Sequence, residues 1–305
     1  MNILLNKNRI SRKFRFPFSR SNKKRIIPTY PKRNLLLMLP VPKKTVLSSE
    51  DLATLKEAKQ KMEHIGWAMQ GLNKMGNFIE GRLQLLPQKQ QQWLRQLSYK
   101  VLHTVVKSNL VSMRNNTAKT KSTPWNSAYK TMVTSSGALG GAFGPTAFAV
   151  DLTLTTKLMM RSIMDIARSE GEDLNQPDTQ LACLQVFALG GKTQHDDHLE
   201  TGYYATRIAL NGTVKGASGK LLEGMLSSST NPIMQMLATV ASRFSIKVSE
   251  KFVAQAVPVV GAVGGASINL AFMQHFQHMA QAHFSIRRLE RTYGQDVVRK
   301  AYEEL

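Results

Sequence analysis

The stretch that decides the fold class is TAFAVDLTLTTKLMMRSIMDIARSE, residues 146–170. Projected at about 100° per residue, its large apolar side chains fall on one side of a helix and its charged side chains on the other. The apolar side holds Leu152, Met159, Met160, Ile163, Ile166 and Ala167, and the polar side holds Lys157, Arg161, Asp165 and Arg168. This spacing predicts an amphipathic α-helix, ended by Gly171, with one face in a protein core.

Helical spacing continues on both sides of this stretch. Ser48 or Ser49 is suited to cap a helix, with Glu50 and Asp51 at the positive end of its dipole. Further helices are predicted over 88–113, 181–189, 199–211, 218–228, 232–256, 259–291 and 295–304. No segment shows the alternation of a half-buried strand. The sequence therefore predicts an all-α fold, a single compact multi-helix domain with two glycine-rich uncharged helices in its core.

The first 44 residues differ in composition from the rest of the chain. They contain thirteen Lys or Arg, five Pro and no Asp or Glu. The remaining residues hold 28 Lys or Arg against 20 Asp or Glu, a surplus of only eight. A segment of this composition buries too little apolar surface to offset its ordering entropy. We expect a basic disordered tail over 1–44 and a helical domain over 45–305, and a start at Met38 would remove most of the tail.

Two long segments carry no charged residue and are rich in small ones. They are residues 131–150 and residues 252–286. Both contain glycines four residues apart: Gly137 with Gly141, Gly140 with Gly144, and Gly261 with Gly265. This spacing opens one side of a helix to the close approach of another backbone. We expect the two segments to pack together in a core. Insertion into a bilayer is the alternative, and polar side chains such as Gln255 and Asn269 disfavour it.

Motifs that would hold a metal ion or a phosphate are incomplete. HDDH at 195–198 spaces its four polar side chains too closely to converge on one ion, so a polar loop is favoured. His275 and His278 face the same way on a predicted helix but have no carboxylate nearby in sequence. ALGGKT at 188–193 and GASGK at 216–220 both lack the first glycine of a phosphate-binding loop. We expect no metal ion and no cofactor.

Nucleophilic catalysis has no sequence signature here. The single cysteine, Cys183, lies inside an apolar helix and has no partner for an intrachain disulfide, which indicates a reducing compartment. Five charged residues are candidates for a polar pocket or an anion site: Asp151, Arg161, Arg287, Glu290 and Arg291. For Asp151, a hydrogen-bonded structural acid or an ion-pair partner is favoured over a general base. For the other residues near 290, an ion-paired helix end is favoured over an anion site.

Five stretches, in order along the chain, resemble the EcsC protein family. They are SGALGGAFGPTAFAVDLTLTTKLMMRSIMDIARSEGEDL, LACLQVFALGG, YYATR, VPVVGAVGGASINLAF and HFSIRRLERTYG, and their order and spacing hold over most of residues 50–304. Thr153 departs from the family, which often has proline there, and Asp151 is the matching acid. The family is named after a gene beside those of an ABC transporter, so the resemblance implies work near the bacterial membrane. It implies no reaction and no catalytic residue.

Two functions compete at this point. The first is a non-enzymatic accessory protein, peripheral at the inner face of the cytoplasmic membrane and linked to transport or secretion. Anionic phospholipid and a membrane transporter are its expected partners, and the tail, with Phe14, Phe16 and Phe18, is its expected contact. The second is an enzyme or carrier that binds a lipid or amphiphile between the glycine-rich helices, with Asp151 and Arg161 among its polar groups. Binding of RNA by the tail is the weakest alternative.

Overall fold

Nine α-helices account for the regular structure of the described residues, and no strand occurs among them. The computed structural model describes residues 46–63, 85–113, 124–140, 144–189, 203–212, 232–256 and 258–305, all of which belong to one compact unit, Lys43–Leu305. The helices are α1 (Ser49–Glu63), α2 (Gln88–Met113), α3 (Asn126–Gly140), α4 (Gly144–Ser169), α5 (Pro177–Leu189), α6 (Tyr203–Gly212), α7 (Pro232–Gln255), α8 (Pro258–Tyr293) and α9 (Gln295–Glu304). The predicted all-α fold is confirmed.

Two helix ends show the local chemistry that the sequence predicted. Ser48 caps α1, because its Oγ accepts a hydrogen bond from the backbone N–H of Asp51 at 3.2 Å. Gly171 ends α4 with a φ of +83°, a conformation that costs other residues about 1–2 kcal/mol. The backbone N–H groups of Gly171 and Glu172 bond back to the carbonyls of Arg168 and Ala167, each at 3.0 Å. This pattern satisfies carbonyls that the end of the helix would otherwise leave free.

The helices form two packed layers. In the first layer α4 lies between α2 and α3 and packs against both. In the second layer α7 packs under α2, α8 packs under α3 and α4, and α7 and α8 pack on each other. α5 crosses this assembly, in contact with α4, α7 and α8, and α6 packs on α5. α1 and α9 pack on α8.

The two glycine-rich segments pack together, as predicted. α3 lies along α8 in the most extensive contact between any two described helices, and Asn269 Nδ2 donates to the carbonyl of Val133 at 3.3 Å. Gly265 is buried in α8. Gly141 and the side-chain surroundings of Gly137 and Gly261 lie outside what the structure describes, so the glycine-on-glycine crossing stays a prediction. Of the helices described, none has both the length and the apolar character needed to cross a bilayer.

Apolar side chains collect in two clusters, and α8 contributes to both. The larger cluster fills the space between the layers around the rings of Phe187, Phe244 and Phe276, whose centroids lie 5.2–5.7 Å apart. The smaller cluster joins α1, α6, α9 and the second half of α8. At the edge of this cluster a hydrogen bond joins α1 to α8, because Tyr293 Oη donates to Asp51 Oδ2 at 2.6 Å.

Some predictions fall outside the described residues. They are the tail over 1–44, HDDH at 195–198, GASGK at 216–220 and the helix over 218–228. ALGGKT is described only as far as Leu189, where α5 ends. Several boundaries differ from their predictions: α5 begins at Pro177 rather than at residue 181, and α8 spans Pro258–Tyr293 rather than 259–291. Proline suits the first turn of a helix, where a backbone N–H has no intrahelical partner.

Candidate functional site

Asp151 lies in the middle of α4, and its carboxylate is held by side chains of α7 and α8. Lys251 Nζ donates to Asp151 Oδ2 at 2.8 Å, and Asn269 Nδ2 donates to Oδ1 at 2.8 Å. The Lys251 ammonium also lies 5.2 Å from the ring centroid of Phe272 and 6.0 Å from that of Phe148. It is therefore surrounded by one carboxylate and two aromatic faces, each of which attracts a cation. Asp151 is an ion-pair partner, one of the two structural roles that the sequence favoured for it.

The electrostatics of this pair favour a structural role. Burial alone raises the pKa of the Asp151 carboxyl, but the charge of Lys251 and the hydrogen bonds from Lys251 and Asn269 outweigh burial and lower it. Burial lowers the pKa of the Lys251 ammonium, and Asp151 offsets only part of this effect. The two side chains are 0% and 2% exposed. An ionised carboxylate with both oxygens hydrogen-bonded is a weak general base, and no substrate reaches it in this conformation.

Arg287 and Arg291 both turn towards Glu172, just beyond the end of α4. Arg287 Nε donates to Glu172 Oε1 at 2.8 Å, Arg287 Nη2 donates to Asp178 Oδ2 at 2.6 Å, and Arg291 Nη1 donates to Glu172 Oε1. Burial raises the pKa of the Glu172 carboxyl, but the hydrogen bond and charge of Arg287 outweigh burial and lower it. The two arginines thus hold a carboxylate of their own chain where the sequence allowed an external anion. They form the ion-paired helix end that the sequence favoured.

Glu290 faces α6. Arg207 donates to it with both terminal nitrogens, Nη1 to Oε1 at 2.6 Å and Nη2 to Oε2 at 2.9 Å, and Tyr204 Oη donates to Oε1 at 3.0 Å. The Arg207 and Glu290 side chains are only 6% and 10% exposed. Glu290 lies three positions after Arg287 on α8, but the structure pairs it with Arg207 of another helix. A two-point bond to a planar guanidinium fixes the orientation of both groups, which a pair along one helix does not.

The same network continues to a buried histidine. Arg207 Nη1 donates to Tyr203 Oη at 3.0 Å, and Tyr203 Oη lies 2.9 Å from His283 Nδ1. Arginine only donates, so the assignment that satisfies most groups has Tyr203 donate to Nδ1, and the ring proton is then on Nε2. Burial, followed by the charges of Arg207 and Arg287, holds the pKa of His283 well below its ordinary value. Within the described residues, His283 Nε2 and Arg207 Nε have no hydrogen-bond partner, a setting in which proteins hold internal water.

Metal-ligating and nucleophilic side chains are not brought together in the described parts of the chain. Among these residues no group of three or more His, Cys, Asp or Glu has a geometry that would hold a metal ion. His278 has a lowered pKa, through burial and then through the charges of Lys61 and Lys130, and such neighbours oppose a bound cation. Cys183 is buried, and burial raises the pKa of its thiol, whereas reactive cysteines have a lowered one.

Arg161, the remaining candidate, lies at the surface rather than in a pocket. It belongs to a row of exposed side chains along α4: Val150, Leu154, Lys157 and Arg161. α3 runs antiparallel beside this row. Ser162 Oγ donates to Asn126 Oδ1 at 3.2 Å at one end, and Asn269 joins Val133 to Asp151 further along. The first turn of α3 therefore contacts Ser162 and Asp165, and Asn269 joins its middle to Asp151.

The candidate site residues chosen from the sequence did not include four members of these buried networks: Lys251, Asn269, Arg207 and His283. Each has its partner 80 or more positions away, so no spacing within one helix points to it. A weak signal existed for Lys251, which stands at the edge of the longest uncharged segment of the chain. Another existed for Arg207, which lies in the YYATR stretch.

Comparison with known proteins gives one match. The model of the EcsC protein family matches residues 49–289, most of the chain. No curated protein and no solved structure matches it.

Proposed function

Because the chain belongs to the EcsC protein family and its buried charges are paired within the fold, we propose that it is a non-enzymatic protein attached peripherally to the inner face of the bacterial cytoplasmic membrane. It binds to anionic phospholipid and takes part in a transport or secretion process beside a membrane transporter. The proposed binding to anionic lipid rests on the charge of the layer formed by α2, α3 and α4. The proposed link to transport or secretion rests on the family name alone.

The main support for binding to anionic lipid is that one layer of the fold contains very few acidic residues. Residues 81–150 contain nine Lys or Arg and no Asp or Glu. The helices α2, α3 and α4 together hold eight Lys or Arg and only two Asp. Asp151 is buried against Lys251, and Asp165 accepts hydrogen bonds from Arg168 and Tyr129. We call the exposed surface of these three helices the outer face, and its positive charge has little internal compensation.

α2 shows how this charge is arranged. Lys89, Lys100 and Lys107 fall within about 20° of one another around the helix and are exposed over a length of about 27 Å. We call them the lysine row. Basic residues of α1 and α9 instead pair with acids one turn away, as in Lys61 with Glu57 and Arg299 with Glu303. Among the described residues, no ion pair is formed by the lysine row. A lysine close to an anionic lipid surface contributes about 1 kcal/mol, so such a row favours attachment to that surface.

A second candidate function is a carrier or enzyme for a lipid or amphiphile held between α3, α4 and α8. Its support is the buried Oδ1 of Asn269, which has no hydrogen-bond partner among the described residues although it lies beside the Asp151–Lys251 pair. Native mass spectrometry of protein extracted from its own membranes distinguishes this candidate. A lipid retained at unit stoichiometry after delipidation would support it over simple attachment.

Flotation of the full chain with lipid vesicles tests the proposed function. Vesicles that contain phosphatidylglycerol should carry the protein upward at low salt, whereas vesicles of phosphatidylcholine alone should not. Raising the salt concentration should weaken the electrostatic part, because the Debye length falls from about 10 Å at 0.1 M to about 3 Å at 1 M. Equal flotation with both kinds of vesicle would contradict the proposal, and so would flotation with neither.

Matched variants locate the charge that matters. Replacing Lys89, Lys100 and Lys107 by Gln removes three charges and keeps good helix formers in α2. Replacing Lys56, Arg299 and Lys300 by Gln removes the same number of charges from α1 and α9. The first variant should bind anionic vesicles markedly more weakly than the second. Equal binding by the two variants would show that the outer face has no special part in attachment.

A further inference from the structure

We infer that the outer face also carries an insertion site for the membrane interface, built from exposed apolar side chains where α3 and α4 meet. This inference rests on the proposed function and deepens it by naming the part of the domain that enters the lipid. The site consists of Trp125, Met132, Val150 and Leu154, which we call the apolar strip. Arg161 and Lys157 lie beside it.

The apolar strip stands out from the rest of the described surface. Only nine large hydrophobic side chains are exposed among the described residues, and four of them belong to this one helix pair. Trp125 is 70% exposed, and the other three are between 48% and 58% exposed. Exposed hydrophobic side chains that occur singly need no explanation, whereas a group of them marks an interaction surface.

Helix geometry places these side chains over the groove between α3 and α4. Tyr129 Oη donates to Asp165 Oδ2 at 2.7 Å, so these two residues mark the sides on which the helices face each other. Trp125 and Met132 lie within about 60° of Tyr129 around α3, and Leu154 lies within about 40° of Asp165 around α4. The exposed side chains therefore flank the same groove.

The antiparallel pairing also brings them to the same level. Trp125 directly precedes Asn126, whose side chain accepts a hydrogen bond from Ser162, the residue after Arg161. Met132 precedes Val133, which Asn269 joins to Asp151, so Met132 lies within about one turn of Leu154. A surface that combines an exposed indole, an exposed arginine and aliphatic side chains has the composition of surfaces that rest at the headgroup level of a bilayer.

Charge complementarity commits this surface to an anionic lipid rather than to another protein. The exposed charged residues beside the strip, Lys157 and Arg161, are basic. The two acids of α4 are already held by other side chains, Asp151 by Lys251 and Asp165 by Tyr129 and Arg168. Burial, with the hydrogen bond to Asp165, raises the pKa of Tyr129 to about 12, so the phenol stays a donor to this acid. Phosphates and acyl chains together match a surface that mixes exposed cations with aliphatic side chains. RNA would leave Met132, Val150 and Leu154 in water.

An environment-sensitive fluorophore on an introduced cysteine tests the insertion. Cys183 is buried, so the full chain can be labelled at Leu154→Cys without removing it. Ile208→Cys is the matched control, because Ile208 is 52% exposed on α6 and lies outside the outer face. On anionic vesicles the label at 154 should shift to the blue and be quenched by brominated acyl chains. The label at 208 should do neither.

A pair of double variants measures the contribution of the strip. Trp125→Ser with Leu154→Ser should lower partition into anionic vesicles at about 0.5 M salt by the order of tenfold, because salt does not weaken apolar burial. Leu52→Ser with Ile208→Ser, two exposed apolar residues elsewhere, should leave partition unchanged. Equal responses of the two labels, or equal partition of the two double variants, overturn the inference.

The outcomes separate this inference from the proposed function. If the full chain fails to float with anionic vesicles at low salt, the proposed function falls. If it floats while the label at 154 stays silent, attachment stands and insertion through the strip is wrong. A blue shift at 154 with homopolymer RNA and none with vesicles would assign the surface to nucleic acid and overturn the inference.

Discussion

Lys251 and Asp151 illustrate what a buried charge pair contributes to this fold. Their side chains are almost inaccessible, and Asn269 completes the hydrogen bonding of the carboxylate. Taking two charges out of water is costly, so such a pair adds little net stability compared with well-packed apolar residues. Loss of one partner is a different matter, since the other charge is then left in the core. The pair therefore fixes the arrangement of α4, α7 and α8 more than it strengthens the fold.

Replacing Lys251 by Met tests this at the residue scale. We expect the free energy of unfolding to fall by about 3–5 kcal/mol at pH 8, because Asp151 stays buried without its ammonium. Burial then dominates and raises the pKa of Asp151, so the loss shrinks as the pH falls towards 5 and the carboxyl is protonated. In the parent, the folded pKa of Asp151 lies below the ordinary 3.8, so its contribution to the free energy of unfolding does not change between pH 5 and pH 8. Urea unfolding at both pH values measures the difference.

Lys247→Met is the matched control. Lys247 Nζ pairs with Glu250 on the same helix at 2.9 Å, and the Glu250 side chain is 20% exposed. Water can solvate the carboxylate that this variant leaves behind, so its deficit should be smaller and nearly independent of pH. A Lys251→Met deficit of the same size at pH 5 and pH 8 would contradict the assignment of a buried, ionised Asp151.

At the scale of single helices, the end of α4 links backbone conformation to the arginine cluster. Gly171 adopts a left-handed conformation just after α4, and the next residue, Glu172, accepts hydrogen bonds from Arg287 and Arg291. A Cβ built at Gly171 would lie 3.6 Å from Arg291 Nη2, an ordinary contact. Any cost of a side chain there therefore comes from the backbone conformation and not from a clash.

Gly171→Ala should lower the free energy of unfolding by about 1–2 kcal/mol, because a positive φ is unfavourable for a residue with a Cβ. Gly171→Asn should cost less, since asparagine tolerates the left-handed region better than other non-glycine residues. Urea unfolding of the two variants beside the parent measures both costs. An alanine variant as stable as the parent would mean that α4 ends differently in solution.

Helix bounds were largely predictable from sequence, and side-chain partners were not. α2 spans the predicted 88–113 and α9 the predicted 295–304, because apolar period, proline and glycine act over a few residues. The partner of Glu290 depends instead on how α6 packs against α8, which no local pattern encodes. The apolar strip has the same origin. Val150 and Leu154 fall on the polar side of α4 in projection, but their closeness to Met132 follows only from the antiparallel pairing of α3 and α4.

At the scale of the whole molecule, charge is distributed unevenly. The outer face is basic, whereas acids of the described residues concentrate on α1, on the turn after α4 and on α9. The tail adds thirteen basic residues to the surplus of eight in residues 45–305. An uneven distribution of this size orients a protein as it approaches a charged surface.

Removing residues 1–44 separates the two sources of charge. We expect the shortened chain to fold, because both hydrophobic clusters are built from residues 55–302. It should still float with anionic vesicles at low salt, more weakly than the full chain, and with a less steep dependence on salt. In the full chain, Phe14, Phe16 and Phe18 replaced by Ser keep every charge and remove only the apolar part of the tail. Complete loss of binding on truncation would assign attachment to the tail alone.

The position of α1 has a consequence for the order in which the chain folds during synthesis. Leu55 and Ala58 are buried in a cluster completed by α8 and α9, and Lys59 Nζ donates to the carbonyl of Tyr302 at 3.1 Å. About 195 residues separate the end of α1 from the start of α8, so at about 5–20 residues per second the ribosome needs roughly 10–40 s to supply its partner. During this interval the apolar side of α1 is open to chaperones. Among the described helices, the first to be synthesised is thus among the last to be packed.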